Sequence, residues 1–201
     1  MKNEDYTDSW KNKNIFQKQL ELNKKEFINY PQHWIDFIEI VKSIKFNNKI
    51  LDIGCGCGSF YKLCNDNFKD IEYTGIDYSI DAIELAKKEW NVDCFICKDI
   101  FDIDNQFISK YDTIYLGALL DVLNNGDDAL KFILGFKIPY VILGRIEFTF
   151  NPNNIETYVA YDEIVTYKYR HNVNTFNSIL DDMNYKIKII KNNTILLEHI
   201  L

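Results

Sequence analysis

An aspartate and three alternating glycines stand in the short segment DIGCGCG, residues 52–58, at the end of an apolar run. Glycine loses more backbone freedom on folding than any other residue, so such a loop is costly unless another group must approach the backbone closely. A nucleotide-like cofactor would require that approach. A metal ion held by Cys55 and Cys57 and plain tight packing are the alternative explanations.

A second acid ends an apolar run farther along the chain, in YTGIDYS, residues 73–79. Asp77 stands at the end of this run much as Asp52 stands near the end of the first. Parallel strands end at the same edge of a sheet, and open α/β sheets bind their ligands at that edge. The acids and the glycines are therefore expected at one ligand site, which makes packing alone a poor explanation of the glycines.

The glycine spacing differs from that of nicotinamide-dinucleotide sites. Those sites carry the pattern G-x-G-x-x-G, which would place the third glycine at position 59, where this chain has Ser59. A pyrophosphate needs the exposed amides of a helix amino end, whereas a cofactor without phosphates needs mainly a flat glycine floor and an acceptor for its ammonium group. A nicotinamide-dependent reductase is therefore disfavoured.

In the elements that must position these residues, the spacing of apolar residues alternates between a helical period and a strand-like period. Residues 8–45 show helical spacing on both sides of Pro31, which predicts two helices with a corner. Two final runs, YKIKII and TILLEHIL, are joined by KNN and predict an antiparallel hairpin. Between these ends, helical patterns separate most of five strand-like runs, and this alternation predicts a parallel sheet covered on both faces. The five runs are residues 50–53, 73–76, 94–97, 113–116 and 140–143.

Composition limits the class of partner. The chain has 201 residues, a net charge of −7 and only two arginines among 23 basic residues. Nucleic-acid binding requires a basic patch that neutralises phosphates, so neither DNA nor RNA is expected as a partner. No apolar run approaches the length of a membrane span and the first residues contain no apolar signal core, which predicts a cytoplasmic protein without membrane contact.

The quoted segments resemble the class I S-adenosylmethionine-dependent methyltransferases, and the resemblance covers residues 46–201. The first motif of that family is an acid followed by alternating glycines, and the acid after its second strand accepts the ribose hydroxyls. ICKDIFD and YDTIYLGALLDVL resemble the family's third and fourth strands with their loops. The resemblance implies S-adenosylmethionine as the cofactor, with Asp52 near its ammonium group and Asp77 at its ribose.

The resemblance also implies the remaining cofactor contacts. Tyr78 would flank the adenine, Asp99 would bind its amino group, and Leu116 with Gly117 would lie under the sulfonium. For Asp99 a solvated loop shared with Asp102 is the alternative. The complete implied set is Asp52, Gly54, Cys55, Gly56, Gly58, Asp77, Tyr78, Ser79, Asp99, Ile100, Leu116 and Gly117.

A metal site is not expected, although Cys55, Cys57, Cys94 and Cys97 together have the composition of a zinc tetrad. The last two differ by three positions in a predicted strand, so their side chains would point to opposite faces. The chain also lacks the NPPY-like run and the Asp-Asn pair that mark amino-group and metal-dependent methylation in the family.

The segment 145–172 follows the fifth strand, where many small-molecule methyltransferases insert a cover for the substrate. Its aromatic residues can wall a pocket, or they can simply form a half-buried hairpin. Arg145 would bind an anionic group of the acceptor, and a structural ion pair with Glu147 or a nearby aspartate is the alternative. The predicted substrate contacts are Trp34, Arg145, Tyr158 and Tyr161.

Histidines are the candidates for a general base, which is needed if the acceptor is a hydroxyl group. His171 is the first candidate, because histidine can accept a proton at neutral pH and this one borders the aromatic segment. A structural role is the alternative for His171. His33 is a weaker second candidate, and His199 is expected to serve packing.

The sequence thus predicts a single α/β domain, a doubly wound and mostly parallel seven-stranded sheet of the Rossmann-like methyltransferase fold. Residues 1–45 would form a helical lid, and residues 46–201 the cofactor-binding core with its substrate cover. The predicted reaction is metal-independent methyl transfer to a small polar metabolite, first of all O-methylation of a sugar or glycan precursor. A protein or peptide acceptor and a non-catalytic cofactor-binding subunit are the alternatives, and the oligomeric state stays open.

Overall fold

The structure, a computed structural model, describes residues 6–45, 47–152 and 155–200. The strands are β1 (Lys49–Ile53), β2 (Glu72–Asp77), β3 (Phe95–Cys97), β4 (Thr113–Gly117), β5 (Tyr140–Gly144), β6 (Phe148–Thr149), β7 (Ile155–Ala160), β8 (Ile164–Tyr169), β9 (His171–Asn172), β10 (Tyr185–Lys191) and β11 (Thr194–His199). The α-helices are α1 (Lys13–Glu26), α2 (Gln32–Ser43), α3 (Ser59–Asn67), α4 (Ile80–Trp90), α5 (Asn105–Ile108), α6 (Gly126–Leu134) and α7 (Val173–Asp182). Short 3-10 helices span Thr7–Lys11, Ile100–Asp102 and Leu120–Val122.

Seven strands form one sheet in the order β10-β11-β5-β4-β1-β2-β3. All neighbouring pairs in the run β5-β4-β1-β2-β3 are parallel. In contrast, β11 runs antiparallel to both β5 and β10. The predicted mostly parallel sheet and its antiparallel hairpin at the carboxyl end are therefore confirmed. Parallel strands bring the loops after β1, β2, β4 and β5 to one edge, where they can share a ligand.

Side chains of each strand alternate between two cores, as a sheet covered on both faces requires. Leu51 and Ile53 of β1 pack in the core that contains Leu130 of α6 and Ile179 of α7. Ile50 belongs to the opposite core, which contains α2, α3 and α4. Each fully buried Leu or Ile contributes about 1.5–3 kcal/mol, so these two cores fix the strands that carry the site.

Pro31 directly precedes α2, so the predicted corner between two amino-terminal helices is present. The two helices have different positions, however. Phe37 and Val41 of α2 pack against the sheet in the same core as Ile142 of β5 and Leu196 of β11. Only α1 and the 3-10 helix before it face the carboxyl edge of the strands, so the cover at the amino end is narrower than the predicted lid.

The segment after β5 contains the hairpin β7–β8 and the short parallel pair β6–β9. Trp10 Nε1 donates to Thr166 Oγ1 over 2.8 Å, and the Lys18 ammonium lies 2.5 Å from Glu163. These contacts join the hairpin to the amino-terminal segment, so both form one cover over the strand edge. Within the described ranges, no helix combines the length and the apolar character that crossing a bilayer requires.

Candidate active site

A cavity of about 630 Å³ opens at the carboxyl edge of the sheet, under the cover formed by α1 and the β7–β8 hairpin. This volume lies within the range of small-molecule sites. We divide its wall into two halves by the strands that the lining residues follow, and one half comprises residues after β1, β2 and β3: Gly54, Gly56, Asp77, Tyr78, Asp99 and Ile100. The other half is bounded by residues after β4 and β5 and by the hairpin: Gly117, Asp121, Arg145, Tyr158 and Tyr161.

The glycine loop approaches both the cavity and the cover closely. Gly54 and Gly56 have φ angles of +77° and +52°, which L side chains rarely adopt. A Cβ atom on Gly56 would lie 2.5 Å from Oε1 of Gln19 in α1. Gly54 and Cys55 both donate their backbone N–H to the carbonyl of Ile76, which holds the loop against β2. The loop is therefore a fixed floor that only glycine permits at these positions.

Asp77 connects that floor to the second strand. Its Oδ2 accepts from the backbone N–H of Gly56 over 3.0 Å, and its Oδ1 accepts from Ser79 over 2.9 Å. Burial raises the pKa of Asp77 to about 6, against the lowering effect of these two backbone donors. Each carboxylate oxygen keeps a further lone pair, so Asp77 can still accept hydrogen bonds from a ligand in the cavity.

Four more of the predicted residues surround this half of the cavity. Tyr78 and Ile100 line it, and the Lys11 ammonium of the cover lies 5.3 Å from the centre of the Tyr78 ring. Asp99 also lines the cavity, while its Oδ1 accepts from the backbone N–H of Phe101 and begins a 3-10 helix. Ser79 lies behind the cavity and caps α4 by accepting from Ala82.

The structure does not bring Asp52 to the cavity wall. Its carboxylate is buried on the other side of β1, where it accepts from the Tyr73 hydroxyl over 2.5 Å. Burial raises the pKa of Asp52 to about 7, with a smaller contribution from the charge of Asp77 and against the lowering effect of the Tyr73 hydrogen bond. The predicted residues Cys55, Gly58 and Leu116 are likewise buried beside the cavity rather than lining it, because their side chains or backbone pack into the two cores.

Arg145 reaches the cavity directly after β5, with a left-handed φ of +61°. The structural alternative, a pair with Glu147, is contradicted, because Glu147 contacts Lys168 and Arg170, each over 3.2 Å. Among the described residues, no carboxylate lies within 4 Å of the Arg145 guanidinium. Arg145 therefore keeps its full hydrogen-bonding capacity for a ligand.

The aromatic segment forms both a hairpin and a wall. Tyr158 and Tyr161 line the cavity, and their role as substrate contacts stays a prediction. Tyr167 and Tyr169 are buried, and Phe150 is exposed to solvent. The alternation along the hairpin thus directs some of its aromatic side chains to the cavity and others to the core.

Two predicted residues do not reach the site. His171 has no exposed surface, and its Nδ1 lies 2.6 Å from Asp127 Oδ1 in a pocket that also contains Phe176. The structure therefore contradicts its prediction as general base, because no acceptor can touch it. Trp34 is 2% exposed and packs on Phe27 in the core of α2, so it is not a substrate contact.

The other two histidines also lie outside the cavity wall. Burial lowers the pKa of His33 to about 4, with a smaller contribution from the charge of Arg145 and against the raising effect of Asp36. His199 packs edge-on against Tyr185 with ring centres 5.0 Å apart, as expected of a packing residue.

The five cysteines are free thiols, and three of them are buried. Within the described part of the chain, no three His, Cys, Asp or Glu side chains lie close enough together to hold a metal ion. Cys55 packs against Gly75 of β2, a position that suits a small apolar side chain.

Two polar residues, Gln19 and Asp121, are among the cavity-wall residues that sequence reasoning missed. Gln19 of α1 accepts from the backbone N–H of Cys57 over 3.3 Å and covers the glycine loop. Asp121 follows β4 and lines the half of the cavity that contains Arg145. The only signal for Asp121 was its position shortly after the fourth strand-like run, a feature it shares with many loop residues.

The residues around Asp77 fit S-adenosylmethionine, the cofactor implied by the resemblance. The left-handed glycines leave space where side chains would stand, and Asp77 retains lone pairs for the ribose hydroxyls. Tyr78 and Ile100 offer flat and apolar surface for an adenine ring. These features lie in one half of the cavity, so the half that contains Arg145 remains for an acceptor.

Comparison with known proteins identifies the same region. A family described as "Methyltransferase domain" matches residues 51–135. Malonyl-[acyl-carrier protein] O-methyltransferase of Priestia megaterium is 30% identical over 126 residues, covering 55% of this chain and 45% of that protein. The enzyme of the same name from Acetivibrio thermocellus is 37% identical over 93 residues, covering 44% of this chain and 31% of that protein. The chain thus spans less than half the length of these curated relatives.

Solved structures share the fold at low sequence identity. Magnesium protoporphyrin IX methyltransferase from Synechocystis, with bound S-adenosylmethionine, has a TM-score of 0.59 at 15% identity and covers 96% of this chain and 90% of that chain. Human N-acetylserotonin methyltransferase, with the same cofactor, has a TM-score of 0.65 at 16% identity. This match covers 98% of this chain and 59% of that chain. The matched region begins in β1, just before the glycine loop, and the chain shares the fold of these S-adenosylmethionine-dependent methyltransferases, so the predicted Rossmann-like methyltransferase fold is confirmed.

Proposed function

We propose that this protein transfers a methyl group from S-adenosylmethionine to an oxygen atom of a small polar acceptor that carries an anionic group. The observation that supports the proposal most directly is the position of Arg145. Arg145 lines the cavity that the glycine floor also bounds, and its guanidinium has no carboxylate partner within 4 Å among the described residues. A planar fork of donors in that position suits a carboxylate or a phosphate.

In this proposal, one half of the cavity binds the cofactor and the other half binds the acceptor. S-adenosylmethionine, when bound, supplies an activated methyl group, so the protein chiefly has to orient the acceptor oxygen and exclude water. Asp77 and the glycine floor would hold the cofactor, and Arg145 would fix the acceptor by its charge. Tyr158 and Tyr161 would shield the acceptor and orient its polar groups.

A hydroxyl group on a sugar or glycan precursor is the first candidate for the methylated oxygen. Tyrosine rings and hydroxyls around the Arg145 half suit the faces and the polar edges of such a molecule. A carboxylate is the second candidate, favoured by the curated relatives, which are named for methylation of a malonyl group on a carrier protein. Methylation of a carboxylate needs no general base, and no histidine lines the described cavity.

Calorimetry and a methyl-transfer screen would test the proposal in sequence. The protein should bind S-adenosylmethionine and its demethylated product but not nicotinamide dinucleotides. The demethylated product should then accumulate when sugar acids, sugar phosphates or small dicarboxylates are added as acceptors. Absence of cofactor binding would refute the proposal. Cofactor binding without transfer to any small acceptor would instead favour a peptide acceptor or a non-catalytic subunit.

A further inference from the structure

We infer that Asp121 and Arg145 together form the acceptor subsite, and that this subsite selects small anions that also carry a hydroxyl group. The inference rests on the proposed function for the location of the acceptor. It adds a second recognition residue and a second chemical group that the acceptor must present.

The positions of the two residues follow from two neighbouring strands. β4 and β5 pair in parallel register up to Gly117 and Gly144, and Arg145 is the next residue after β5. Asp121 lies in the 3-10 helix Leu120–Val122 that follows β4. Both residues line the cavity, and they follow the two neighbouring strands that define one half of its wall. An acceptor bound there would meet one cation and one carboxylate.

One oxygen of the Asp121 carboxyl lacks a hydrogen-bond partner. Its Oδ1 is buried and accepts no hydrogen bond from any described residue. Buried polar atoms are nearly always paired, because an unpaired one costs about 1–3 kcal/mol. A hydroxyl group of a ligand that reached this oxygen would remove that cost, so we assign the acceptor's hydrogen-bond donor to Asp121.

Arg145 does not form an ion pair with Asp121, although its charge is close enough to affect the Asp121 carboxyl. No ion pair joins the two side chains within 4 Å. Burial raises the pKa of Asp121, while the positive charge of Arg145 and a hydrogen bond from the backbone of Asp121 itself lower it, and Glu147 and His171 have smaller and opposite effects. The two residues therefore stand apart, and each keeps hydrogen-bonding capacity for a separate group of one ligand.

The chemistry of the pair defines the ligand class. Arg145 offers only donors, so it requires an anionic or strongly accepting group. An ionised Asp121 offers only acceptors, so it requires a hydroxyl or an ammonium group. A second carboxylate beside Asp121 would suffer like-charge repulsion. Because the proposed reaction methylates oxygen, the donor that fits Asp121 is a hydroxyl group.

Four three-carbon acids would test this selection, because each keeps one carboxylate and changes one group near it. Relative to propionate, lactate adds a hydroxyl group on Cα, alanine adds an ammonium group on Cα, and malonate has a second carboxylate in place of the methyl group. Their binding to the protein complexed with the demethylated cofactor can be followed by nuclear magnetic resonance titration. One enantiomer of lactate should bind about tenfold more tightly than propionate, which is the effect of one hydrogen bond to a charged group.

Substitutions identify the residue responsible for the preference. Asp121→Asn should reduce the preference for lactate over propionate to about threefold or less. The same substitution at Asp128, an exposed residue in the first turn of α6, should leave the preference intact. Cofactor binding heat equal to that of the wild-type protein would show that both variants are folded.

Several outcomes would overturn the inference. These are equal binding of lactate and propionate, tightest binding of alanine or malonate, unchanged selectivity in the Asp121→Asn variant, and no binding of any acid at millimolar concentration. Each of these outcomes is compatible with cofactor binding and therefore would not contradict the proposed methyl transfer. Loss of cofactor binding in the wild-type protein would instead remove the proposed function.

Discussion

The backbone N–H of Gly56 donates to Oδ2 of Asp77 over 3.0 Å, so the acid that ends the second strand is tied to the glycine floor that follows the first. This contact spans two strands that share one register, in which Asp77 follows directly after the pair Ile53 and Ile76. A single carboxylate thus both shapes the floor and faces the cavity. Changes at Asp77 are therefore expected to affect cofactor affinity and loop stability together.

We expect cofactor affinity to depend on pH through Asp77. Burial raises its pKa to about 6 in the free protein, and hydrogen bonds from ribose hydroxyls favour the charged form. Affinity for the demethylated cofactor should therefore rise as the pH increases through about 6. Asp77→Asn should lower the affinity by about tenfold at neutral pH and remove most of this rise. Calorimetric titrations at several pH values measure both effects, and a pH-independent wild-type affinity would contradict the expectation.

Asp52 offers a second, separable prediction, because its pKa is raised to about 7 by burial and it lies outside the cavity wall. A carboxyl whose folded-state pKa exceeds its unfolded value of about 3.9 stabilises the protein at low pH, and that contribution is lost as the pH rises through about 7. Asp52→Asn stays neutral and can still accept from Tyr73. Its melting temperature should exceed that of the wild-type protein at about pH 8 and vary less with pH.

The same variant tests the role that the family resemblance implies for Asp52. If its carboxylate only supports the strand, Asp52→Asn should change cofactor affinity much less than Asp77→Asn does. An equal loss of affinity in the two variants would show that Asp52 reaches the cofactor's ammonium group in the bound state.

Local sequence signals were sufficient to predict the sheet and the glycine floor. Apolar runs, the spacing of the glycines and the acid in YTGIDYS each depend on neighbours in the chain, and they predicted β1, β2 and the contact region around Asp77. Burial of individual polar side chains depends on distant residues. Asp52 lies on the far face of β1 because Tyr73 and the helices beyond it pack there, and no local pattern reveals that.

The acceptor half was harder to predict for a related reason. Asp121 reaches the cavity because the loop after β4 turns at Ala118, which has a left-handed φ of +55°. Non-glycine residues adopt that conformation only when surrounding structure imposes it, so the sequence carries no sign of it. His171 borders the substrate cover in sequence, yet Asp127 and Phe176 enclose it in the fold.

We expect His171 to be structural. His171→Ala removes the side chain that contacts Asp127 over 2.6 Å and leaves a cavity beside Phe176, so the melting temperature should fall. Large-to-small substitutions in a core typically cost about 2–5 kcal/mol. The folded fraction should retain the turnover number and the Michaelis constant of the wild-type protein. A turnover number reduced by several orders of magnitude in a stably folded variant would restore His171 as a catalytic residue.

The two arginines of the chain provide a matched pair of variants. Arg145 lines the cavity without a carboxylate partner, whereas Arg170 contacts Glu156 over 2.9 Å and Glu147 over 3.2 Å at the surface. Lysine preserves the charge in both positions but not the planar fork of donors. A surface ion pair contributes less than about 1 kcal/mol, so Arg170→Lys should have little effect on stability or activity.

Arg145→Lys should behave differently, because a lysine cannot bind a carboxylate or a phosphate with two parallel hydrogen bonds. With an anionic acceptor, the specificity constant should fall by about tenfold or more, while the affinity for the demethylated cofactor and the melting temperature stay near those of the wild-type protein. Steady-state kinetics with the acceptor found in the transfer screen measures the first effect, and calorimetry measures the second. Equal specificity constants for the Arg145→Lys and Arg170→Lys variants would mean that Arg145 does not bind the acceptor's anionic group.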